Sequence, residues 1–285
     1  MENLNLNNIQ TIGKENIAEM TGFDEKTFEE IVQLQDSFNA RVIGQDWKEK
    51  DNNWKMAIIL ENAELLDSFD WKWWKHTPID WQNIEIEMVD LFHFLIALGL
   101  KESNTKAFNG FFIANELRFK EQETYNDETM QEVVIGKMLN DFNSAIINGL
   151  TLNAVSIFIE MWFTLGNNSD DLFRKYKMKY TLNQFRQDNG YKDGSYIKIW
   201  EEGKEDNVFA QELQKDIPND DKYLGELHLA LSKKYFEITS KAESKEENSL
   251  VSFIKNNDQY TSLIESVPND VQKVIFEMLE TYKEY

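Results

Sequence analysis

The chain has 285 residues, no cysteine and a formal net charge of −21, from 51 acidic and 30 basic side chains. The lack of cysteine excludes disulfides, thiolate metal sites and a cysteine nucleophile, and the negative charge disfavours nucleic acid polymers as partners. With only 12 glycines and 3 prolines, the composition predicts an all-α fold with short connections.

The chain is apolar enough to fold but carries no long apolar run. Its hydrophobic fraction is 41% and includes 19 phenylalanines. Residues 1–10 are polar, and no segment reaches the ~18–20 apolar residues of a membrane span. We therefore expect a cytoplasmic protein with no signal peptide and no membrane association.

The first strongly predicted helix begins after Asp24, which can cap it, and runs to about Arg41. Gln35 and Asn39 are four residues apart, so their amides project from one helix face. Because an amide offers both a donor and an acceptor, such a pair can read the edge of a nucleobase. Two solvated amides would show the same spacing, and the residues alone leave both interpretations open.

The most informative stretch holds two apolar segments, Trp54–Phe69 and Ile84–Leu100, which predict buried helices. Each carries two acids one turn apart on one face. These acids are Glu61 and Glu64 in the first segment, and Glu87 and Asp90 in the second. No lysine or arginine lies between residues 58 and 69 or between residues 84 and 100. A single such pair usually marks a solvated face, but two pairs in apolar sequence favour a shared metal, and oxygen ligands suit Mg²⁺ or Mn²⁺.

Aromatic side chains flank the acids. Trp71, Trp73 and Trp74 cannot all enter one core from a helix end, so at least one is expected to form a stacking surface or pocket wall, with core packing as the alternative. His93 follows Asp90 by three residues. We expect it to form hydrogen bonds within the pocket rather than to bind the metal.

The main basic cluster lies in Ser169–Trp200, interleaved with aromatic and amide side chains. The pattern predicts a helix that ends near Asn189–Gly190, followed by a loop that contains glycine. Lysine and arginine suit phosphate oxygens, so the cluster is a candidate anion site. Before it, Asn148–Gly166 is apolar enough to pack in the core or against a second subunit.

Five segments, in this order, resemble the dimeric, all-α dUTPase family of the helical nucleoside-triphosphate pyrophosphohydrolases. They are QDSFN (35–39), ExxELLDS (61–68), WKWWK (71–75), ExxDxxH (87–93), and KxxLNxFR with GYKxGxYxK (179–186 and 190–198). The carboxylate pairs are shared with related pyrophosphohydrolases, whereas the amide pair, the tryptophans and the basic block are more specific. The resemblance implies a helical bundle of that type.

The resemblance also implies site residues. Glu61, Glu64, Glu87 and Asp90 match Mg²⁺ ligands, and Glu61, or else Glu64, would orient or deprotonate the attacking water. Gln35 and Asn39 match amides that recognise uracil, and Trp73 matches a pocket tryptophan. His93 and Asn183 match sugar-facing or pocket-facing positions. The residues that match phosphate-chain ligands are Lys179, Arg186, Tyr191, Lys192 and Lys198.

The implied reaction is hydrolysis of dUTP to dUMP and pyrophosphate, with dUDP as a further substrate. A homodimer would catalyse it with roughly two or three Mg²⁺ ions per site, and Mn²⁺ is a possible substitute. Two alternatives stay open: a related pyrophosphohydrolase that acts on dCTP or another nucleotide, and a non-catalytic partner-binding module. We expect residues 1–240 to form the catalytic domain, and residues 241–285 a charged linker and a short helical appendage.

Overall fold

The computed structural model of the chain describes residue 21 and residues 23–120 and 128–255, and side chains only within 21, 23–119 and 134–240. In this part of the chain the regular structure consists of nine α-helices and three short 3₁₀ helices. The β-structure in the same ranges consists of one isolated antiparallel β-bridge between Ile199 and Glu205. The predicted all-α fold is confirmed.

The helices follow one another with short connections. In chain order they are α1 (Glu25–Val42), α2 (Trp54–Asp67), α3 (Trp81–Lys101), α4 (Phe108–Lys120), α5 (Glu128–Ile147), α6 (Thr151–Thr164), α7 (Ser169–Asp188), α8 (Asp206–Leu213) and α9 (Tyr223–Lys255).

Short polar side chains fix where the first helices begin. The predicted cap of α1 is confirmed, because the Asp24 side chain accepts a hydrogen bond from the Lys26 backbone N–H. Asn53 caps α2 and Asp80 caps α3 in the same way. Each cap satisfies a backbone donor that the first helical turn leaves free. These caps therefore define where α1, α2 and α3 begin.

Helix α3 lies at the centre of the main hydrophobic core and packs against α1, α2, α6 and α7. Its residues are buried almost continuously from Ile84 to Gly99, which explains why the segment is apolar on every face. Phe92 of α3 stacks on Phe158 of α6 with ring centroids 5.4 Å apart. The predicted burial of the apolar segment around α6 is confirmed, since most of that helix is buried.

A second, smaller hydrophobic core lies on the other half of α7. The first half of α7 contributes Tyr176 to the main core, and the second half contributes Phe185 to the smaller one, together with residues of α8 and α9. A hydrogen bond from Gln82 of α3 to Gln211 of α8, 2.7 Å long, ties the two cores together. The junction of the two cores on α7 is where Lys179 lies.

Helix α9 continues without interruption from Tyr223 to Lys255. The charged stretch 241–248 is therefore helical, where the sequence suggested a linker. The boundary proposed at residue 240 stays a prediction, and the rest of the expected appendage, residues 256–285, lies outside the described residues. Among the helices that the structure describes, none is long and apolar enough to cross a membrane.

Candidate active site

The neighbouring helices α2 and α3 bring acids from both predicted pairs together. Glu61 of α2 and Glu87 and Asp90 of α3 each offer a carboxylate oxygen, and these oxygens all lie within 4.8 Å of one another. Glu64 is exposed and lies outside this closest group. Three acids at this spacing could share one ion, because hard divalent cations take oxygen ligands.

The acids of this cluster are strongly perturbed. Burial, followed by the negative charges of Asp90, Glu64 and Glu87, raises the pKa of Glu61 to about 8. Burial, followed by the charge of Asp90, likewise raises the pKa of Glu87 to about 7. Glu64 acts on both groups, so it belongs to the same electrostatic site although it stands at the edge. A cluster in which acids resist ionisation is one that lacks sufficient positive charge.

A buried lysine supplies part of that charge, which corrects the sequence argument. The two acidic segments indeed hold no cation near their acids, but α7 places Lys179 Nζ 2.7 Å from Asp90 Oδ2. The same ammonium group donates to Asn207 Oδ1 at 2.8 Å. One ammonium group does not balance the four acids, since Glu61 and Glu87 keep their raised pKa values in its presence. The all-oxygen donor set therefore fits a divalent cation in addition to Lys179.

The predicted amide pair forms a buried hydrogen-bond network with His93. Gln35 Nε2 donates to Asn39 Oδ1 at 2.9 Å, so the two side chains do share one face of α1. Gln35 Oε1 accepts from the Tyr176 hydroxyl at 2.8 Å and contacts His93 Nδ1 at 2.7 Å. The solvated-amide alternative is wrong, because both amide side chains are buried.

Two polar atoms of this network have no partner within the described residues. They are Asn39 Nδ2 and His93 Nε2, and their residues are only 4% and 6% exposed. Burial lowers the pKa of His93 to about 3, helped by the charge of Lys179, so its imidazole is neutral. Since Gln35 Oε1 can only accept, the proton lies on Nδ1 and leaves Nε2 as an acceptor. Buried groups without partners are rare and indicate a missing ligand or water.

Arg186 is held by a buried carboxylate that sequence reasoning missed. Its Nε and Nη2 donate to Asp206 at 2.8 and 2.7 Å, and Asp206 is fully buried. The Tyr196 hydroxyl donates to the same carboxylate at 2.7 Å. Burial alone would lower the pKa of Arg186, but the hydrogen bonds and charge of Asp206 raise it above its ordinary value.

Asn207, next to Asp206 at the start of α8, joins the arginine to the acidic cluster. Its Oδ1 accepts from Lys179 Nζ and lies 3.4 Å from Arg186 Nη2. The remaining nitrogen, Nη1, donates to Asn183 Oδ1 at 3.2 Å. The structure thus brings Lys179, Asn183 and Arg186 together, as the resemblance implied. Neither Asp206 nor Asn207 carries a local sequence signal for this role.

The other predicted residues lie at the surface. The Arg186 guanidinium lies 5.8 Å from the ring centroid of Tyr191, which is exposed. Lys192 is exposed, and Lys198 pairs with Glu205 at 2.9 Å. Trp73 is 89% exposed and contacts the edge of Trp74. Its predicted place in a pocket stays a prediction. Trp71, Trp73 and Trp74 are all exposed, so the core-packing alternative is wrong, and a stacking role for any of them also stays a prediction.

Fold and site together define an all-α protein in which a cluster of acidic side chains, able to offer only oxygen ligands, lies beside buried lysine and arginine side chains. A family model described as dUTPase matches residues 27–191, more than half of the 285-residue chain. The chain belongs to the dimeric all-α dUTPase family, whose activity is that of a dUTP diphosphatase. The match therefore supports a hydrolase with a nucleotide substrate, in a family that generally uses a divalent metal. No curated protein matches the chain.

Proposed function

We propose that this chain hydrolyses dUTP to dUMP and pyrophosphate, and dUDP to dUMP and phosphate, with Mg²⁺ held by four acids. The single observation that carries the proposal is the group formed by Glu61, Glu87 and Asp90, whose oxygens lie within 4.8 Å of one another. Glu64, one turn from Glu61, is the fourth proposed ligand. Roughly two or three Mg²⁺ ions would offset the charge of the acids and the phosphate chain, and Mn²⁺ could replace them.

One acid has a second task in this proposal, besides holding the metal. Mg²⁺, when bound, supplies a Lewis acid for the phosphoryl oxygens and lowers the pKa of water. On the resemblance, Glu61 is the candidate to orient the attacking water or take its proton. Its carboxylate lies within the closest acidic group, beside those of Glu87 and Asp90, where a metal-bound water would be in reach. Glu64, which is exposed, is the second candidate for this task.

The basic residues would bind the phosphate chain. Lys179 is buried beside Asp90, so its charge lies at the edge of the acidic cluster. Arg186 Nη1 donates to Asn183, while the other two guanidinium nitrogens, Nε and Nη2, donate to Asp206. Tyr191, Lys192 and Lys198 follow in the exposed loop after α7 and would complete the phosphate contacts. Charge-assisted hydrogen bonds of this kind favour a pyrophosphate leaving group.

The amide network would bind the base. Asn39 and His93 present the two buried atoms that have no protein partner among the described residues, and Gln35 holds both side chains. A uracil ring supplies a carbonyl oxygen and an N–H group, the two partners that these atoms require. Trp73 and Asn183 are the proposed contacts to the base and sugar, on the resemblance.

Release of pyrophosphate from dUTP, dCTP and dTTP, with Mg²⁺ and with a chelator, tests the proposal. We expect Mg²⁺-dependent release from dUTP, with kcat/KM for dCTP lower by about 100-fold or more, because a mismatched hydrogen-bond edge leaves buried groups unpaired. Preferred turnover of dCTP would support the related pyrophosphohydrolase instead. No turnover of any nucleotide would overturn the catalytic proposal and favour the partner-binding module.

We also propose that the chain is a homodimer. Met56 and Leu60, one turn apart on α2, are 59% and 57% exposed. Ile147, the last residue of α5, and Leu150, just before α6, are also exposed. Helices α2 and α5 pack against each other, so these side chains belong to neighbouring elements. Exposed apolar side chains on two adjoining helices are typical of a subunit interface. The proposed interface lies on the helix that carries Glu61.

Leu60→Glu is expected to weaken the dimer by about tenfold or more, because a charge would be buried without a partner. Sedimentation over a range of protein concentrations measures the dissociation constant. Phe236→Glu is the matched control, since Phe236 is 71% exposed but lies on α9, which packs on α7 and α8. A wild-type monomer, or equal weakening by both substitutions, would contradict the proposed interface.

A further inference from the structure

The Tyr176 hydroxyl has no task in the proposed function, yet it forms a hydrogen bond with Gln35, the central residue of the proposed base-binding network. Tyr176 is fully buried, and its ring stacks on that of His93 with centroids 4.1 Å apart. Its hydroxyl donates to Gln35 Oε1 at 2.8 Å. Burial raises the pKa of Tyr176, so the hydroxyl keeps its proton. This side chain can therefore act on the network only as a neutral O–H group.

The direction of the hydrogen bonds in the network depends on which way the Gln35 amide faces. In the observed direction its oxygen accepts from Tyr176 and His93, and its nitrogen donates to Asn39. Rotating the amide by half a turn hardly changes its shape but exchanges donor and acceptor. The nitrogen would then donate to His93 Nδ1, and the oxygen would accept from Asn39 Nδ2. The Asn39 amide would therefore have to rotate as well, and the His93 proton would have to move from Nδ1 to Nε2.

The two directions present opposite patterns to a bound base. In the observed direction, Asn39 Nδ2 offers a donor and His93 Nε2 an acceptor. This pair matches a carbonyl oxygen beside an N3–H group, as in uracil. In the reversed direction, Asn39 would offer an oxygen and His93 an N–H group, which match the amino group and N3 acceptor of cytosine. The network could thus read either pyrimidine, depending on its direction.

Tyr176 distinguishes the two directions. Among the described residues, the one hydrogen-bond partner of its hydroxyl is Gln35. If the amide were reversed, Gln35 would present its NH₂ group, and the buried hydroxyl proton would have no acceptor. A buried donor without a partner is strongly disfavoured. The other two side chains that bond Gln35, an amide and an imidazole, can serve either direction.

We propose that the Tyr176 hydroxyl fixes the direction of the Gln35, Asn39 and His93 network and so selects uracil over cytosine. Tyr176 is a positioning residue, because it acts on the base only through Gln35. The inference rests on the proposed function, since it concerns how the same site distinguishes two nucleotides. It adds a selectivity element on α7 to the residues of α1 and α3 that would contact the base.

Tyr176→Phe tests the proposal, because it removes the hydroxyl and keeps the ring that stacks on His93. We expect kcat/KM for dCTP to rise and the dUTP-to-dCTP selectivity ratio to fall by about 10- to 100-fold. Damage to the fold would instead lower turnover of both nucleotides. Tyr180→Phe is the matched control, since Tyr180 lies one turn further along α7 and its hydroxyl accepts from Gln184, outside the network.

A spectroscopic measurement keeps the proposal testable if Tyr176→Phe does not fold. The ¹⁵N shifts of the His93 ring in the wild-type protein, without nucleotide, report which nitrogen carries the proton. We expect the proton on Nδ1, and in Tyr176→Phe a mixture of both tautomers. A wild-type proton on Nε2, or an unchanged selectivity ratio in folded Tyr176→Phe, would overturn the inference even where dUTP turnover holds. Failure of the wild-type protein to hydrolyse dUTP would instead refute the proposed function.

Discussion

Glu61→Gln is expected to reduce dUTP turnover by about 100- to 10,000-fold, the usual contribution of a general base, and to stabilise the metal-free protein near pH 8. The first effect follows because glutamine keeps the shape of the side chain but cannot take a proton from water or supply negative charge to a cation. The second follows from the repulsion within the cluster. The same carboxylate is therefore expected to promote catalysis and to oppose folding.

The sign of the stability effect follows from the direction of the pKa shift. Burial and the neighbouring acids raise the pKa of Glu61 from 4.5 to about 8 in the folded chain. A group with a raised pKa stabilises the fold fully below its unfolded pKa, and this contribution is lost as the pH rises through the folded pKa. Metal-free wild type should therefore lose stability between pH 4.5 and about 8. Glutamine stays neutral, so the difference in stability between the variant and the wild type grows as the pH rises across that interval.

Thermal unfolding with a chelator across this pH interval, together with single-turnover hydrolysis of dUTP with Mg²⁺, measures both effects. Glu160→Gln is a matched control, because Glu160 lies on α6 and pairs with Arg118 at 2.6 Å, away from the acidic cluster. We expect the control to retain turnover and the wild-type dependence of stability on pH. A Glu61→Gln protein that is less stable than wild type at pH 8 would contradict the electrostatic argument.

These opposing effects require a packed scaffold around the acids, and α3 provides it. Glu87 and Asp90 lie on α3, which the surrounding helices enclose, so the chain tolerates their repulsion only because apolar packing compensates elsewhere. Strain of this kind is common where a site must be rigid before its ligand binds.

The local parts of this arrangement could be predicted from the sequence because they depend on helical spacing. The face shared by Gln35 and Asn39, the cap at Asp24 and the end of α7 near Asn189 are all set by neighbours within one or two turns. The same reasoning predicted two buried acidic helices. This prediction is confirmed for α3 but wrong for α2, which exposes Met56, Leu60 and Glu64. The contact between α2 and α3 could be inferred only because both are apolar and a protein of this length has one main core.

The long-range partners could not be predicted in the same way. Nothing near Asp90 in the sequence indicates that Lys179 would reach it from α7, and nothing near Arg186 indicates a fully buried Asp206. These contacts depend on how α7 and α8 pack against α3, which periodicity does not encode. An acid at the start of a helix, directly after a polar loop, is usually solvated. The position of Asp206 in the sequence therefore did not indicate its burial. The role of Tyr176 was hidden for the same reason, because its helix position indicates only that it faces a core.

Asp206→Asn is expected to lower the free energy of unfolding by about 3–5 kcal/mol, the usual cost of breaking a buried ion pair. Asp206 is fully buried and accepts from Arg186 through both carboxylate oxygens and from the Tyr196 hydroxyl. Asparagine has nearly the same shape, but its NH₂ group would face a donor, and the buried guanidinium would lose its main counter-charge. Urea unfolding at neutral pH measures the loss.

Asp188→Asn provides the matched control, because it makes the same chemical change in a second Arg–Asp pair at the surface. Asp188 pairs with Arg41 at 2.5 Å, and the two side chains are 42% and 43% exposed. A surface pair of this kind contributes only about 0–1 kcal/mol, since water screens both charges. If the two substitutions cost equally little, Arg186 is not held by Asp206 as the structure shows, and its guanidinium would be free to bind phosphate with all its donors. A large loss of unfolding free energy in Asp206→Asn alone would instead show that Asp206 holds Nε and Nη2 of Arg186. Nη1, beside Asn183, would then be the guanidinium nitrogen available to the phosphate chain.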